Sequence, residues 1–340
     1  MLSIFSQANV RPPHVKLVSN QKLKTWKFAA NYVWKEKFTE DKAELGRWTK
    51  GELLELGPTF VKLGQIASTR GDLYPPEFIR ELESLQDNVP AFDYNLVKDK
   101  LNMDIFKSFE ETPFRSASIG QVHRAVLKNG KHVVVKLKRP GIYETMESDT
   151  NTVRKILKFF QTIGIDTGNS SDFVLNDSIE YLLGEADYLQ EVENAIKFKK
   201  AMKGVDWVKI PRVYKRYCTD EMIVMEYVPT EKITEVKNKK INKKKVCEAL
   251  VNSYVIQTMD AGLFHADPHP GNLGVSKNGK LVFYDFGLII DLSDELTEGF
   301  KDLFLCIINR DTKGIVNILI RLGVIVPTSS DVSDIELFFE

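Results

Sequence analysis

No run of 18 or more apolar residues occurs anywhere in this sequence, so no membrane-spanning helix is expected. Neither sign of charge is in excess. The 47 Lys and Arg residues balance 47 Asp and Glu, which argues against a general nucleic-acid binder. Cysteine is scarce: Cys218, Cys247 and Cys306 are odd in number, far apart and form no C-x-x-C pair. That excludes a disulfide framework and fits a reducing compartment. Internal repeats and low-complexity tracts are missing too. The 43% of apolar residues can build a real core, so a disordered chain is excluded, and 340 residues suit one two-lobed catalytic unit.

Acidic residues are absent from Met1 to Lys35, where Arg11, Lys16, Lys22, Lys24, Lys27 and Lys35 stand. Leu23, Trp26, Ala30 and Val33 fall on one face of a helix there. Three readings stay open: contact with an anionic membrane surface, a remnant of a targeting segment, or an amphipathic helix packed on the rest of the chain.

The strongest positive signal is His265-Ala266-Asp267-Pro268-His269-Pro270-Gly271-Asn272, followed by Tyr284-Asp285-Phe286-Gly287. The spacing H-x-D-x-x-x-x-N with a downstream D-F-G is that of a kinase catalytic loop. Phosphoryl transfer needs these residue types. A carboxylate, Asp267, orients the acceptor, while an amide, Asn272, and a second carboxylate, Asp285, hold Mg²⁺ against the phosphates of ATP. Between the motifs, Leu273–Val275 and Leu281–Tyr284 read as strands joined by a turn through Asn278-Gly279. Such a hairpin would bring Asn272 and Asp285 together.

Upstream, Ile119–Leu127 alternates as a strand, Asn129-Gly130 turns, and His132–Lys138 returns. Lys136 ends the apolar run and is the candidate phosphate-holding lysine; Lys138 points to the same face and is not excluded by spacing. The segment before it, Ser116-Ala117-Ser118-Ile119-Gly120, stands where a kinase would carry a glycine-rich loop, yet it holds one glycine. Ala117, Ser118 and Gly120 are the candidate nucleotide contacts on a stiffer loop. Residues 176–200 read as a single helix burying Ile179, Leu182, Ala186, Leu189 and Ile196. On it, Glu191 is the candidate carboxylate for Lys136, against the plainer reading of a solvated acidic face. Glu221–Val228 reads as a buried strand, with the backbone of Glu226 and Val228 as candidates for an adenine edge.

Taken together, these residues resemble the UbiB/ADCK family of atypical, protein-kinase-like proteins, in its cyanobacterial and plastid branch. The resemblance rests further on Leu56-Gly57-Pro58-Thr59-Phe60-Val61-Lys62-Leu63-Gly64-Gln65, which carries a K-x-G-Q motif, and on Glu185-Ala186-Asp187, an E-x-D motif. It covers roughly residues 50–340. It implies an α+β, two-lobed kinase-like fold with an N-terminal helical extension, in which Lys62 and Gln65 with Glu185 and Asp187 form a family-specific gate. It further implies ATP and Mg²⁺ as cofactors, and ATPase or small-lipid kinase activity rather than ordinary protein phosphorylation. Isoprenoid quinone or prenyl-lipid metabolism at a plastid or other quinone-bearing membrane, with biosynthetic enzymes as partners, is also implied. A nucleotide-binding scaffold without useful turnover is the competing expectation. An ordinary protein kinase is disfavoured because no A-P-E follows Asp285.

The organisation expected is a basic amphipathic segment over 1–50, a helical K-x-G-Q extension over 51–112, an N-lobe with inserted helices over 113–228, and a C-lobe over 229–340. The C-lobe is expected to be short. Pro58 after Gly57 marks a helix start, and Asn88-Val89-Pro90 closes the extension. A lysine cluster from Lys237 to Lys245 precedes a helix over 246–261, ended by Gly262.

Overall fold

The computed structural model describes residues 13–71, 73–86, 91–165, 171–238 and 240–325, with only the helical backbone described for 13–19 and 171–177. Arg11, the Asn88–Pro90 closure and Lys239 of the lysine cluster lie outside the described residues. The chain divides into two compact units: Met1–Lys128 with Val135–Ala186, and Asn129–Val134 with Asp187–Glu340.

In the first unit, α1 (Pro13–Phe38), α2 (Lys42–Leu56), α3 (Pro58–Ala67) and α4 (Pro76–Glu83) surround a core of Leu45, Leu53, Phe60, Phe78, Leu82 and Leu85. Asp41 caps α2 by accepting from the amides of Ala43 and Glu44. Gly57, at φ 103°, ends α2 and opens α3, with Pro58 at the first helical position as the sequence predicts. The glycine of the K-x-G-Q motif has a packing reason. A Cβ on Gly64 would lie 2.6 Å from methyl groups of both Leu53 and Leu85, so only hydrogen lets α3 approach so closely.

The face read in α1 from Leu23, Trp26, Ala30 and Val33 is only partly packed. Thr25 is buried, Phe28 stacks on Trp48, and Tyr32 meets Phe78 edge-on. Trp26 packs on Phe159, whereas Leu23 (69% exposed) and Ala30 face outward. The packed side is set by aromatic partners on α2, α4 and α5, which periodicity of the segment alone does not show.

Four strands follow: β1 (Phe106–Phe109) and β2 (Arg115–Ser116) both pair antiparallel with β3 (Gly120–Leu127), and β4 (His132–Lys138) lies on β3's other side. Gly130, at φ 81°, makes the turn into β4. Helices α5 (Ile142–Thr162) and α6 (Ser171–Gly184) complete this unit.

The single helix expected over 176–200 is two. It breaks after Gly184, a poor helix former, and α7 (Tyr188–Ala201) restarts in the second unit with Asp187 as N-cap, accepting from the Gln190 amide at 2.9 Å. The break resets the helical phase. Ile179, Leu182 and Ala186 are buried as expected, but Leu189 and Ile196 are exposed, and Tyr188, Val192, Ala195 and Phe198 take the inner face of α7.

The second unit contains β5 (Val208–Lys209), β6 (Met222–Glu226), β7 (Thr230–Lys232), α8 (Lys243–Met259), β8 (Leu263–His265), β9 (Leu273–Ser276), β10 (Leu281–Phe283), β11 (Ile289–Asp291), α9 (Asp294–Asn309) and α10 (Thr312–Arg321). One sheet runs β5–β10–β9–β7, parallel only at β5–β10, and β8 pairs antiparallel with β11. α8 begins three residues earlier than expected because Asn242 caps it, accepting from the Lys245 amide. The core gathers Phe198, Leu263, Leu273, Leu281, Phe283 and Phe286. Cutting one of these fully buried phenylalanines to alanine should cost about 3–5 kcal/mol. Among the described residues, no helix is long and apolar enough to cross a membrane.

Candidate catalytic site

The hairpin between the two kinase-type motifs forms as predicted. Leu273 pairs with Phe283, and Gly279 at φ 77° closes the turn. One residue beyond each strand, the Tyr284 amide donates to the Asn272 carbonyl at 3.0 Å, which brings Asn272 beside the start of Tyr284-Asp285-Phe286-Gly287. The Asn272 side-chain amide donates to the Asp267 carboxylate at 2.8 Å, so Asp267 and Asn272 are mutually oriented. The imidazole of His265 joins them to the third residue: its Nε2 lies 2.8 Å from the Asp285 carbonyl, and its Nδ1 accepts from the Asp267 amide at 3.3 Å. The Asp285 carboxylate accepts from the Gly287 amide at 3.0 Å, which shapes the turn after it. Phe286 points the other way, into the aromatic cluster with Phe198 and His265.

This donor set suits a hard cation. The two candidate ligands, Asn272 and Asp285, offer oxygen atoms, and Mg²⁺ is commonly held by one or two protein oxygens with phosphate and water completing its shell. No group of three or more His, Cys, Asp or Glu residues gathers among the described residues to hold a metal by itself. The site therefore fits a cation that arrives with its nucleotide.

The other candidates occupy definite places. Lys136 is on β4 in the first unit. The loop before β3 is a tight turn, with the Ala117 amide donating to the Gly120 carbonyl at 2.8 Å. Arg139 braces it through its Nε to the Ser118 carbonyl at 3.1 Å, and Ser118 and Gly120 are buried. A loop held this way has no need of the flexibility that several glycines would give. In the second unit, Glu191 is buried in the first turn of α7. Burial raises the Cys218 thiol above its ordinary pKa, and the Glu191 charge adds to the rise. Glu226 ends β6. Its carboxylate is held by Lys209 at 2.7 and 2.8 Å and by the Arg212 amide at 3.0 Å, and its own amide donates to the Arg212 carbonyl. The part of Glu226 suited to an adenine edge is therefore its carbonyl. Val228 follows two residues later, half-buried.

The family-specific residues divide. Lys62 Nζ meets the Glu185 carboxylate at 2.6 Å, with side chains only 14% and 11% exposed, and lies 5.6 Å from the Tyr181 ring. Gln65, one turn later, donates to the Leu85 carbonyl at 2.9 Å and so ties α3 to the end of the extension. Asp187 serves as the cap of α7.

Two contributors carry no role in the motif reading. One is His265, which motif spacing contains but does not explain. The other is Asn194 on α7, whose side-chain amide donates to the Phe286 carbonyl at 2.9 Å while accepting from Gln190 at 2.9 Å. A polar residue on the inner face of a helix was its only available signal.

Sheet, hairpin and catalytic loop together define a kinase-like unit. The chain belongs to the ABC1 family: the ABC1 atypical kinase-like domain matches residues 84–319. It is 37% identical over 318 residues to the protein sll1770 of Synechocystis sp., covering 90% of this chain and 54% of that protein. It is 36% identical over 313 residues to Protein ACTIVITY OF BC1 COMPLEX KINASE 7, chloroplastic, of Arabidopsis thaliana, covering 89% of this chain and 45% of that one. The chain thus spans about half the length of these curated relatives. Among solved structures, the Rv3197–erythromycin complex from Mycobacterium tuberculosis superposes with a TM-score of 0.58 at 23% identity, covering 73% of this chain and 65% of that one, and shows the shared fold. The α+β kinase-like expectation and the cyanobacterial and plastid resemblance are both borne out.

Proposed function

We propose that this chain is a Mg²⁺-dependent, ATP-using atypical kinase or ATPase that supports isoprenoid quinone or prenyl-lipid metabolism at a plastid or related membrane. The observation that carries the reading is the linked set Asp267–Asn272–His265–Asp285, in which the Asp267 carboxylate is held at 2.8 Å by the Asn272 amide. A carboxylate fixed in this way can orient an acceptor hydroxyl or water and take its proton. In this reading Lys136 holds the phosphates, Glu191 is its carboxylate, and Ala117, Ser118 and Gly120 line the phosphate loop. The Glu226 carbonyl and the Val228 backbone take the adenine edge. Asn272 and Asp285 hold Mg²⁺, which when bound offsets charge on the phosphate oxygens. Lys62, Gln65, Glu185 and Asp187 keep the gate. The chloroplastic name of the Arabidopsis relative supports the plastid assignment.

The membrane part is supported by α1. Leu23, Ala30, Trp34 and Phe38 are exposed along one stripe, with Lys24 and Lys27 beside it. An apolar stripe flanked by lysines fits an anionic lipid surface. Co-sedimentation with anionic vesicles, weakened by salt and by Trp34→Ala, is expected; absence of binding at low and high salt alike would remove it. For the nucleotide site, Asp285→Asn should abolish Mg²⁺-dependent ATP binding measured by calorimetry, and unchanged binding would refute the metal role. Saturable ATP binding with no turnover would favour a scaffold instead.

A further inference from the structure

We infer that Tyr254 and Gln257 on α8 are positioning residues for the catalytic loop, acting by gripping the backbone of His265. The inference deepens the phosphoryl-transfer reading and rests on it for its kinetic arm alone.

The buried stripe of α8 runs Val246, Ala249, Ser253, Gln257. A glutamine at the end of such a stripe is costly, and this one is fully buried. Its Oε1 accepts from the His265 amide at 2.8 Å, while its Nε2 is buried with no hydrogen-bond partner. An apolar residue of the same size would fill the space without that orphaned nitrogen. What it would not supply is an acceptor for His265, whose amide would then be orphaned instead. Tyr254, three residues earlier on α8, donates its hydroxyl to the His265 carbonyl at 3.2 Å.

Strand geometry explains why these backbone groups need side-chain partners. In an antiparallel pair, successive residues direct their N–H and C=O groups to opposite sides. The Ala266 amide donates across to Leu288 next to β11, so the groups of His265 face away from β11 and toward α8. Gln257 and Tyr254 finish that open edge. The His265 ring then carries the constraint forward. Nδ1 accepts from the Asp267 amide, which leaves the proton on Nε2, where it is donated to the Asp285 carbonyl. Phe198 and Phe283 pack against the ring at 5.8 and 5.4 Å. All four polar groups of His265 are therefore bonded, two to α8 and two to the residues expected to do the chemistry. The burial of Tyr254, and next the charge of Asp267, raise its pKa, so its hydroxyl keeps the proton it donates.

The test compares wild type, Gln257→Met, Gln257→Glu and Tyr254→Phe, with Asp267→Asn as the inactive control. Amide hydrogen exchange over residues 263–267 is measured beside Mg²⁺–ATP turnover, and α9 serves as the remote reference. Gln257→Met removes the acceptor at similar volume. It should speed exchange over 263–267 by about tenfold, leave α9 unchanged, and lower kcat about tenfold or more while KM for ATP moves less than about twofold. Gln257→Glu keeps an acceptor and should stay within about threefold of wild type on both readouts. Tyr254→Phe should fall between them and carries the test if Gln257→Met does not fold. Unchanged exchange over 263–267 in both Gln257→Met and Tyr254→Phe, or a Glu variant as impaired as the Met variant, would overturn the inference. If wild type turns over no ATP, the phosphoryl-transfer reading fails and the exchange comparison decides the positioning role by itself.

Discussion

The K-x-G-Q helix and the catalytic loop carry sequence motifs of similar clarity, yet they are held by different physics. On α3, the Lys62 cation is set by charge, against Glu185 at 2.6 Å in a largely dry setting. On the loop from His265 to Asn272, the Asp267 carboxylate is set by a chain of hydrogen bonds running through Asn272 and His265. The first arrangement is sensitive to loss of one charge, because the partner is left buried and uncompensated. The second is sensitive to geometry, because each bond is modest by itself and the network fixes direction. Exposed pairs such as Lys244–Glu248, at 3.9 Å, show the contrast, since they contribute about 0–0.5 kcal/mol.

Breaking the loop should have the largest effect on function. Asn272→Ala removes the Asp267 bond and, on the proposed function, a metal oxygen, so ATP turnover should fall about 10²–10⁴-fold with the melting temperature nearly unchanged. Breaking the helix pair should act on stability first. Lys62→Met should cost about 3 kcal/mol in chemical denaturation, and the double variant Lys62→Met with Glu185→Gln should recover most of it. If the single and double variants are equally unstable, the pair is not what holds Lys62.

A smaller effect lies one turn from Lys62. Asp149 on α5 is buried near Thr59 of α3, and burial raises its pKa from 3.8 to about 6, with the Thr59 hydroxyl offsetting part of the rise without completing a hydrogen bond. The folded state thus disfavours the carboxylate. This contribution to stability is fully present below about pH 4 and is lost as pH rises through about 6. Asp149→Asn should remove that slope and stabilise the protein by about 1–2 kcal/mol at pH 8, followed by denaturation against pH. The smallest effect is expected at Glu226. Burial would raise its pKa, but the hydrogen bonds from Lys209 and the Arg212 amide prevail and lower it. Its contribution is present above the ordinary carboxylate range and lost as pH falls below it. Glu226→Gln should cost about 0.5–1 kcal/mol at pH 7 and nothing at pH 3.

How much was legible follows the same division. The β9–β10 hairpin was readable because Asn-Gly between apolar runs has one dominant local solution, and it fixed where Asn272 and Asp285 go. The helix start at Pro58 was readable for a similar local reason. The break at Glu185–Asp187 was missed because continuous apolar spacing outweighed Gly184 and a capping Asp187 in the periodicity argument. The packed side of α1 was left open because Phe28 and Tyr32 are chosen by distant aromatics rather than by the helix itself. Likewise Gln257 and His265 meet through tertiary structure alone; within the sequence, one is a polar residue on a helix and the other a letter in a motif.

The central claim is that Asp267, held by Asn272 and His265, performs phosphoryl-transfer chemistry. It is tested most directly by Mg²⁺-dependent ATP turnover of the purified chain, with and without anionic liposomes, beside Asp267→Asn. The account predicts turnover in wild type that the substitution lowers about 10²–10⁴-fold while ATP binding persists. Equal behaviour of the two proteins, whether both turn over ATP or both only bind it, would contradict it.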